Sequence, residues 1–220
     1  MERTIKVTGK GKLMVKPDTI RLVFNLNDTR KTYEETLAES SKQTGIFKEL
    51  FVKLGFEADA LKTVSFNVNT KYESYQDEQK RLQQRFVGYK FVHDLKIEFD
   101  ADNELLGKVL YALANASITP EFRLQYTVKD VESAKNELLS KAVADSKTKA
   151  EVLTKAAGVK LGEVLNIDYS WAELELVAQP VRMLKASPAM ANDAMGSYQM
   201  DITPEDIKVE DSVTVVWGLM

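Results

Sequence analysis

His93 is the only imidazole in the chain, and no cysteine stands beside it. A nucleophilic hydrolase of the Ser-His-Asp kind would have to recruit it as general base. Yet His93 lies two residues from both Phe91 and Leu95 on an alternating apolar run, the setting of a packed, hydrogen-bonded side chain. No Gly-x-Ser-x-Gly elbow accompanies it. One histidine without any thiolate cannot assemble the usual structural zinc set. The missing cysteines also exclude disulfides and iron–sulfur clusters. Acidic residues number 33, so chance carboxylate pairs abound and none stands out for glycosidase work. The expectation is therefore no catalytic residue, no cofactor-binding residue and no metal ligand.

Three short motifs imitate binding sites. Gly9-Lys10-Gly11-Lys12 looks like a phosphate loop but lacks the Gly-x-x-x-x-Gly-Lys-Ser/Thr spacing, and a strand pattern follows it instead of a helix. It reads as a strand break with solvated lysines. Asp100, Asp102 and Glu104 alternate as hard-oxygen ligands do, but Leu105 stands where a calcium loop needs glycine. Acids at a helix N-terminus are the simpler account. Val87-Gly88-Tyr89-Lys90-Phe91-Val92 resembles the base-stacking strand of an RNA-recognition motif. Val87 replaces the leading basic residue there, Lys90 replaces the small one, and Tyr89 and Phe91 belong to an apolar face suited to a core.

Positioning these residues falls to a chain of 220 residues with ordinary globular composition, 44% hydrophobic and 29% charged. A net charge of −3 supplies no global field for phosphates, which disfavours nucleic acid as a partner. No window approaches the ~18–20 apolar residues of a membrane span. The opening Met1-Glu2-Arg3-Thr4-Ile5-Lys6-Val7 runs at once into a strand pattern, without the apolar stretch of a secretory signal. On that reading the chain stays where it is made, in the cytoplasm.

Ile5 and Val7, then Ile20, Leu22, Phe24 and Leu26, alternate as half-buried strands do. Leu37, Ile46, Phe47, Leu50, Phe51 and Leu54 recur at helical spacing over Tyr33 to Leu54, and Gly55 supplies a stop. Val64, Phe66 and Val68 form another strand. A polar stretch from Glu73 to Gln84 reads as a hairpin excursion that returns through Phe86 to Phe99. Asp102 caps a short helix, Phe122 to Val128 is strand, and a second long helix runs from about Val131 to Ala157. Leu165 to Trp171 and Val209 to Trp217 read as strands, although Asp211 shares the valine side. Short turns between neighbouring strands imply antiparallel pairing, with two long helices covering one face of each sheet. The fold class is α+β, in order ββα, ββαβ, αββ. The whole 1–220 span divides by pattern into one lobe of 1–60 plus 131–220 and an inserted lobe of 61–130. Between Glu175 and Thr203 the pattern dissolves, punctuated by Met183, Met190, Met195 and Met200. That segment is either a mobile loop or an adaptable, methionine-bearing contact surface.

Several of these residues carry a family likeness. Ile5-Lys6-Val7-Thr8-Gly9-Lys10-Gly11 followed by Pro17-Asp18 resembles the start of the SIMPL domain, as does Gly88-Tyr89 opening a strand. The segment from Lys149 through Ala156-Ala157-Gly158 to Leu161-Gly162-Glu163-Val164 resembles the long family helix that ends in glycine and leads into a strand. The run from Val213 to Leu219 resembles the closing strand. SIMPL is a domain of unknown function whose family includes bacterial periplasmic immunogenic and outer-membrane-associated proteins, some of them ring-forming oligomers. The resemblance implies an α+β fold, self-association and a periplasmic or cell-envelope location, and it brings no catalytic residues. The expectation is a non-enzymatic, self-associating scaffold or interaction protein: a homo-oligomer, or the binder of a protein partner, with the four methionines as contact residues. Single-stranded nucleic-acid binding through Gly88–Val92 and hydrolysis through a carboxylate pair or His93 are the alternatives.

Overall fold

A computed structural model describes residues 3–118, 120–169, 176–178 and 198–220. Along the chain run β1 (Thr4–Val15), β2 (Thr19–Arg30), α1 (Tyr33–Lys53), β3 (Lys62–Gln76), β4 (Leu82–Asp100), α2 (Asn103–Ala114), β5 (Glu121–Thr127), α3 (Val131–Ala156), β6 (Leu161–Asp168) and β7 (Ile207–Leu219). The architecture is α+β with two antiparallel sheets, in orders β1-β7-β6 and β3-β4-β2-β5. Helix starts follow local chemistry. Thr32 and Glu35 form a reciprocal capping box on α1, Asp102 accepts from the Glu104 and Leu105 amides at the start of α2, and Asp130 accepts from Ser133 at the start of α3.

The described chain forms two compact units, one of 3–18, 126–169, 176–178 and 204–220, the other of 19–125 and 198–203. Residues 19–60, grouped by pattern with the C-terminal half, lie in the second unit because β2 is paired with β4 from Thr19↔Asp100 to Arg30↔Tyr89. The short Lys16-Pro17-Asp18 link carries no β1–β2 hairpin. None of its residues takes the positive φ that tight hairpins need. Asp18 is instead bonded within the first unit, its amide to the Thr127 carbonyl at 3.1 Å and its carboxylate to the Lys129 amide at 2.8 Å.

In the first unit β1 pairs with β7 in unbroken register from Thr4↔Gly218 to Val15↔Ile207. The expected break at Gly9-Lys10-Gly11 does not occur. A Cβ on Gly9 would collide with the Ala142 carbonyl and the Ser146 amide, and one on Gly11 with the Leu138 carbonyl. These glycines let the backbone of α3 lie directly on the strand. The helix meets them with a buried stripe at four-residue spacing: Ala134, Leu138, Ala142, Ser146, Ala150 and Thr154. Asp211, on the same strand side as the valines of β7, stands opposite Gly11 and accepts from the Tyr169 hydroxyl at 3.0 Å.

In the second unit α1 covers β2 and β4 with large rings. Phe24 of β2 stacks edge-on to Phe47 at 5.1 Å and tilts against Phe51 at 5.8 Å. Phe91, Leu95 and Ile97 from β4 and Leu106 and Val109 from α2 are likewise buried. At roughly 25 cal/mol per Å² of apolar surface, such rings each contribute several kcal/mol of burial.

Candidate functional site

His93 lies on the helix-facing side of β4, 8% exposed. The Thr44 hydroxyl donates to the Ser40 carbonyl at 2.9 Å, so toward Nδ1 of His93, 3.2 Å away, it can only accept. The proton is thereby assigned to Nδ1, and Nε2 accepts from the Thr63 hydroxyl at 2.9 Å. Neutral imidazole satisfies every partner. Burial pushes the His93 pKa down; the Asp94 charge opposes this and the Lys48 charge adds to it.

Asp94 offers no help as an orienting acid. It points from the opposite sheet face, accepting from Asn25 Nδ2 and the Ser65 hydroxyl, both at 2.7 Å. Those two bonds hold its carboxyl below the usual range, the Asn25 bond first. An open groove of about 500 Å³ runs past His93 between α1 and β3, lined by Leu37, Ser40, Thr44, Lys48, Thr63 and Phe66 and, among the described residues, by no acidic one. A hydroxyl paired with an imidazole is present, but among the described residues both ring nitrogens of His93 are bonded to threonine hydroxyls and neither to a carboxylate of the kind that orients a catalytic imidazole. Among the described residues no cluster of three or more Asp, Glu or His could hold a metal.

The remaining motif residues are placed by the fold in architectural work. Asp102 is the cap of α2, and Glu104 pairs with Lys108 at 2.7 Å. Phe91 is fully buried and has no face to offer a base, while Tyr89 packs edge-on to Tyr33 at 5.6 Å and to Phe86 at 5.4 Å. Gly88, with φ of +145°, sits where a Cβ would strike the Arg30 carbonyl. Met183, Met190 and Met195 lie outside the described residues, and Met200 is half-buried. Near Met200, the Tyr198 amide donates to the Gly107 carbonyl at 3.2 Å and Asn103 reaches the Ile202 carbonyl at 3.1 Å, so 198–203 lies along α2.

A different surface emerges from the β3–β4 hairpin. Its pairing with β2 ends at Arg30↔Tyr89, but β3 and β4 continue as a two-stranded arm through Gln76↔Leu82. On the arm Tyr72 is 55% exposed, Tyr75 45%, Leu82 73% and Phe86 46%. Tyr72 and Phe86 stack edge-on at 5.7 Å, Arg85 lies over the Tyr75 ring, and Glu73 pairs with Arg85 at 3.4 Å. Asp77 ties the turn, accepting from the amides of Gln79 and Arg81, and Lys80 there takes a φ of 60°. By strand alternation Tyr72, Phe86 and Leu82 share one face of the arm, with the Ser74–Gln84 pair between them, and Tyr75 lies on the other face with Arg85.

Residues 5–217 match the model of the SIMPL family, described as a protein of unknown function (DUF541). The chain belongs to the SIMPL family. The 26 kDa periplasmic immunogenic protein of Brucella melitensis biotype 1 is 27% identical over 165 residues, 74% of this chain and 65% of that protein. Its namesake in Brucella abortus (strain S19) is 26% identical over the same shares. The chain thus spans about 65% of the length of these curated relatives.

In this SIMPL chain the residues that carried the likeness are packing devices. Gly9 and Gly11 admit α3, and Gly158 takes the left-handed φ of +69° just past the end of that helix. The candidate surface that sequence reasoning missed is the arm. Its signal was present as Leu82 inside, and Tyr72 and Phe86 on either side of, the polar stretch from Glu73 to Gln84 that reads only as a hairpin excursion.

Proposed function

We propose that this chain is a non-enzymatic scaffold of the cell envelope that self-associates through the β3–β4 arm. The observation that carries the reading is the arm itself, with four large exposed side chains on a two-stranded extension. A two-stranded hairpin without a third layer is marginal in water, so rings displayed there gain most from a partner. The His93 site favours a structural role, since both ring nitrogens are taken up by threonines. The envelope location follows the relatives, which are named as periplasmic proteins. A chain without cysteine is compatible with that oxidising compartment.

Light scattering coupled to gel filtration at micromolar concentration tests the proposal. Wild type is expected as an oligomer, and the Tyr72→Thr, Leu82→Thr, Phe86→Thr triple variant as a folded monomer by circular dichroism. A monomeric wild type overturns it. Osmotic-shock fractionation of cells expressing the full gene product tests location, with recovery solely in the cytoplasm as the contrary result.

A further inference from the structure

We propose that the self-association interface is an isologous pairing of β3 with β3 of a second copy, antiparallel, with its two-fold axis at Tyr72. The inference rests on the self-association reading above and specifies its geometry. β3 ends the four-stranded sheet, and among the described residues no strand pairs with its outer edge. It is regular from Ser65 to Gln76. The irregularity opposite Lys71 and Tyr72 comes from an extra residue in β4, between Gly88 and Phe86, so the free edge stays straight enough to pair.

Charge selects the register. Lys71 makes no ion pair among the described residues, and its neighbour across the hairpin is Gly88, which has no side chain to meet it. Glu73 is paired with Arg85 on the inner side only. An axis at Tyr72 sets Lys71 opposite the partner's Glu73, and by symmetry Glu73 opposite the partner's Lys71. The result is a row Arg85–Glu73 continued by the partner's Lys71, formed twice. Thr70 then faces the partner's Ser74, and Asn69 the partner's Tyr75. Centring instead on Thr70 sets Lys71 against the partner's Asn69. Centring on Ser74 sets it against the partner's Asp77, whose carboxylate is already engaged by Arg81 and Gln83. Pairing centred on a residue also keeps like faces on one side of the joined sheet. Tyr72 and Phe86 of both copies thus form one aromatic band.

Charge reversal gives a test with opposed outcomes for single proteins and mixtures. Lys71→Glu alone opposes carboxylate to carboxylate twice, Glu73→Lys alone opposes ammonium to ammonium twice, and each is expected to weaken dimerisation roughly tenfold. Mixing the two variants sets an edge with acids at both positions against an edge with lysines at both. Every opposed pair is then of unlike charge, so a mixed dimer of near wild-type affinity forms. Because the chain has no cysteine, Tyr72→Cys supplies a clean second probe. Opposed residues have Cα atoms about 4.5–5.5 Å apart, within disulfide range. Mild oxidation is expected to give a covalent dimer with Tyr72→Cys and none with Asn67→Cys, which lies farther from the axis. Wild-type oligomers combined with no rescue on mixing, or with no Tyr72→Cys dimer, overturn this register and leave self-association standing. Monomeric wild type overturns both.

Discussion

The two units lay a long helix on an antiparallel sheet by opposite means. In the first, α3 comes close enough to β1 that its carbonyls occupy the space of absent side chains at Gly9 and Gly11, and its buried stripe is mostly alanine, serine and threonine. In the second, α1 is held off β2 and β4 by Phe24, Phe47 and Phe51, whose rings fill the interval. The first interface has no volume to give up, the second none to lose. Close-packed interiors penalise both errors, and the direction of the damaging substitution should reverse between the units.

The largest effect is expected from Phe24→Ala, which removes a fully buried ring touching both phenylalanines of α1. Loss of about 3–5 kcal/mol in urea denaturation is the expectation, and a loss under about 1 kcal/mol would show that the rings are not what holds α1. Next comes Gly9→Val. The new side chain meets helix backbone, which cannot rotate aside as a side chain can. A loss of about 1–3 kcal/mol or more is expected. Hydrogen exchange should place it in peptides of β1 and α3 while β4 remains protected. If Gly9→Val is neutral, close approach does not explain the glycines.

This contrast was half legible in the sequence. Phe24, Phe47 and Phe51 announce themselves by period, because a buried ring is a positive signal at a defined spacing. Gly9 and Gly11 announce nothing, since a glycine demanded by a neighbouring helix reads the same as one that ends a strand. The helix that decides between those readings lies more than a hundred residues away. For the same reason β1 could not be seen to pair with β7 rather than β2. Long-range register is absent from local pattern, and the short Pro17-Asp18 link favoured the wrong neighbour. At the candidate site, the packed state of His93 was legible from Phe91 and Leu95, whereas Thr44 and Thr63 were not. The exposed row at Tyr72 and Phe86 was hidden because a bulge opposite Lys71 decides which residues share its face.

Buried polar groups distinguish the units further. Tyr126, in the first unit, is 4% exposed, and its hydroxyl has no hydrogen-bond partner among the described residues. An orphaned buried hydroxyl is a standing penalty, so Tyr126→Phe is expected to raise stability by about 1 kcal/mol. A destabilised Tyr126→Phe in urea denaturation would mean that the hydroxyl has a partner in solution. No comparable gain is expected in the second unit, where the buried His93 is bonded at both ring nitrogens.

The smallest effect separates the units by pH. At the α3 interface the Ser146 hydroxyl, which faces the Val7 carbonyl at 3.3 Å and the Trp217 indole nitrogen at 3.4 Å, does not titrate. At the α1 side His93 does. Its folded pKa is depressed, chiefly by burial, so the unfolded chain binds the proton more tightly. The stability it contributes is complete above the unfolded value near 6.5 and is lost as pH falls below that value toward the depressed folded one. Protonation also places a donor on Nε2, so Thr63 must turn its hydroxyl from donor to acceptor. Between about pH 7 and pH 5, exchange protection of β4 is therefore expected to decline more than that of β7. His93→Gln is expected to abolish the difference between them. Equal decline in both strands, or a difference that survives His93→Gln, would mean that carboxylates elsewhere govern the acid response and that the threonine-bound imidazole is silent.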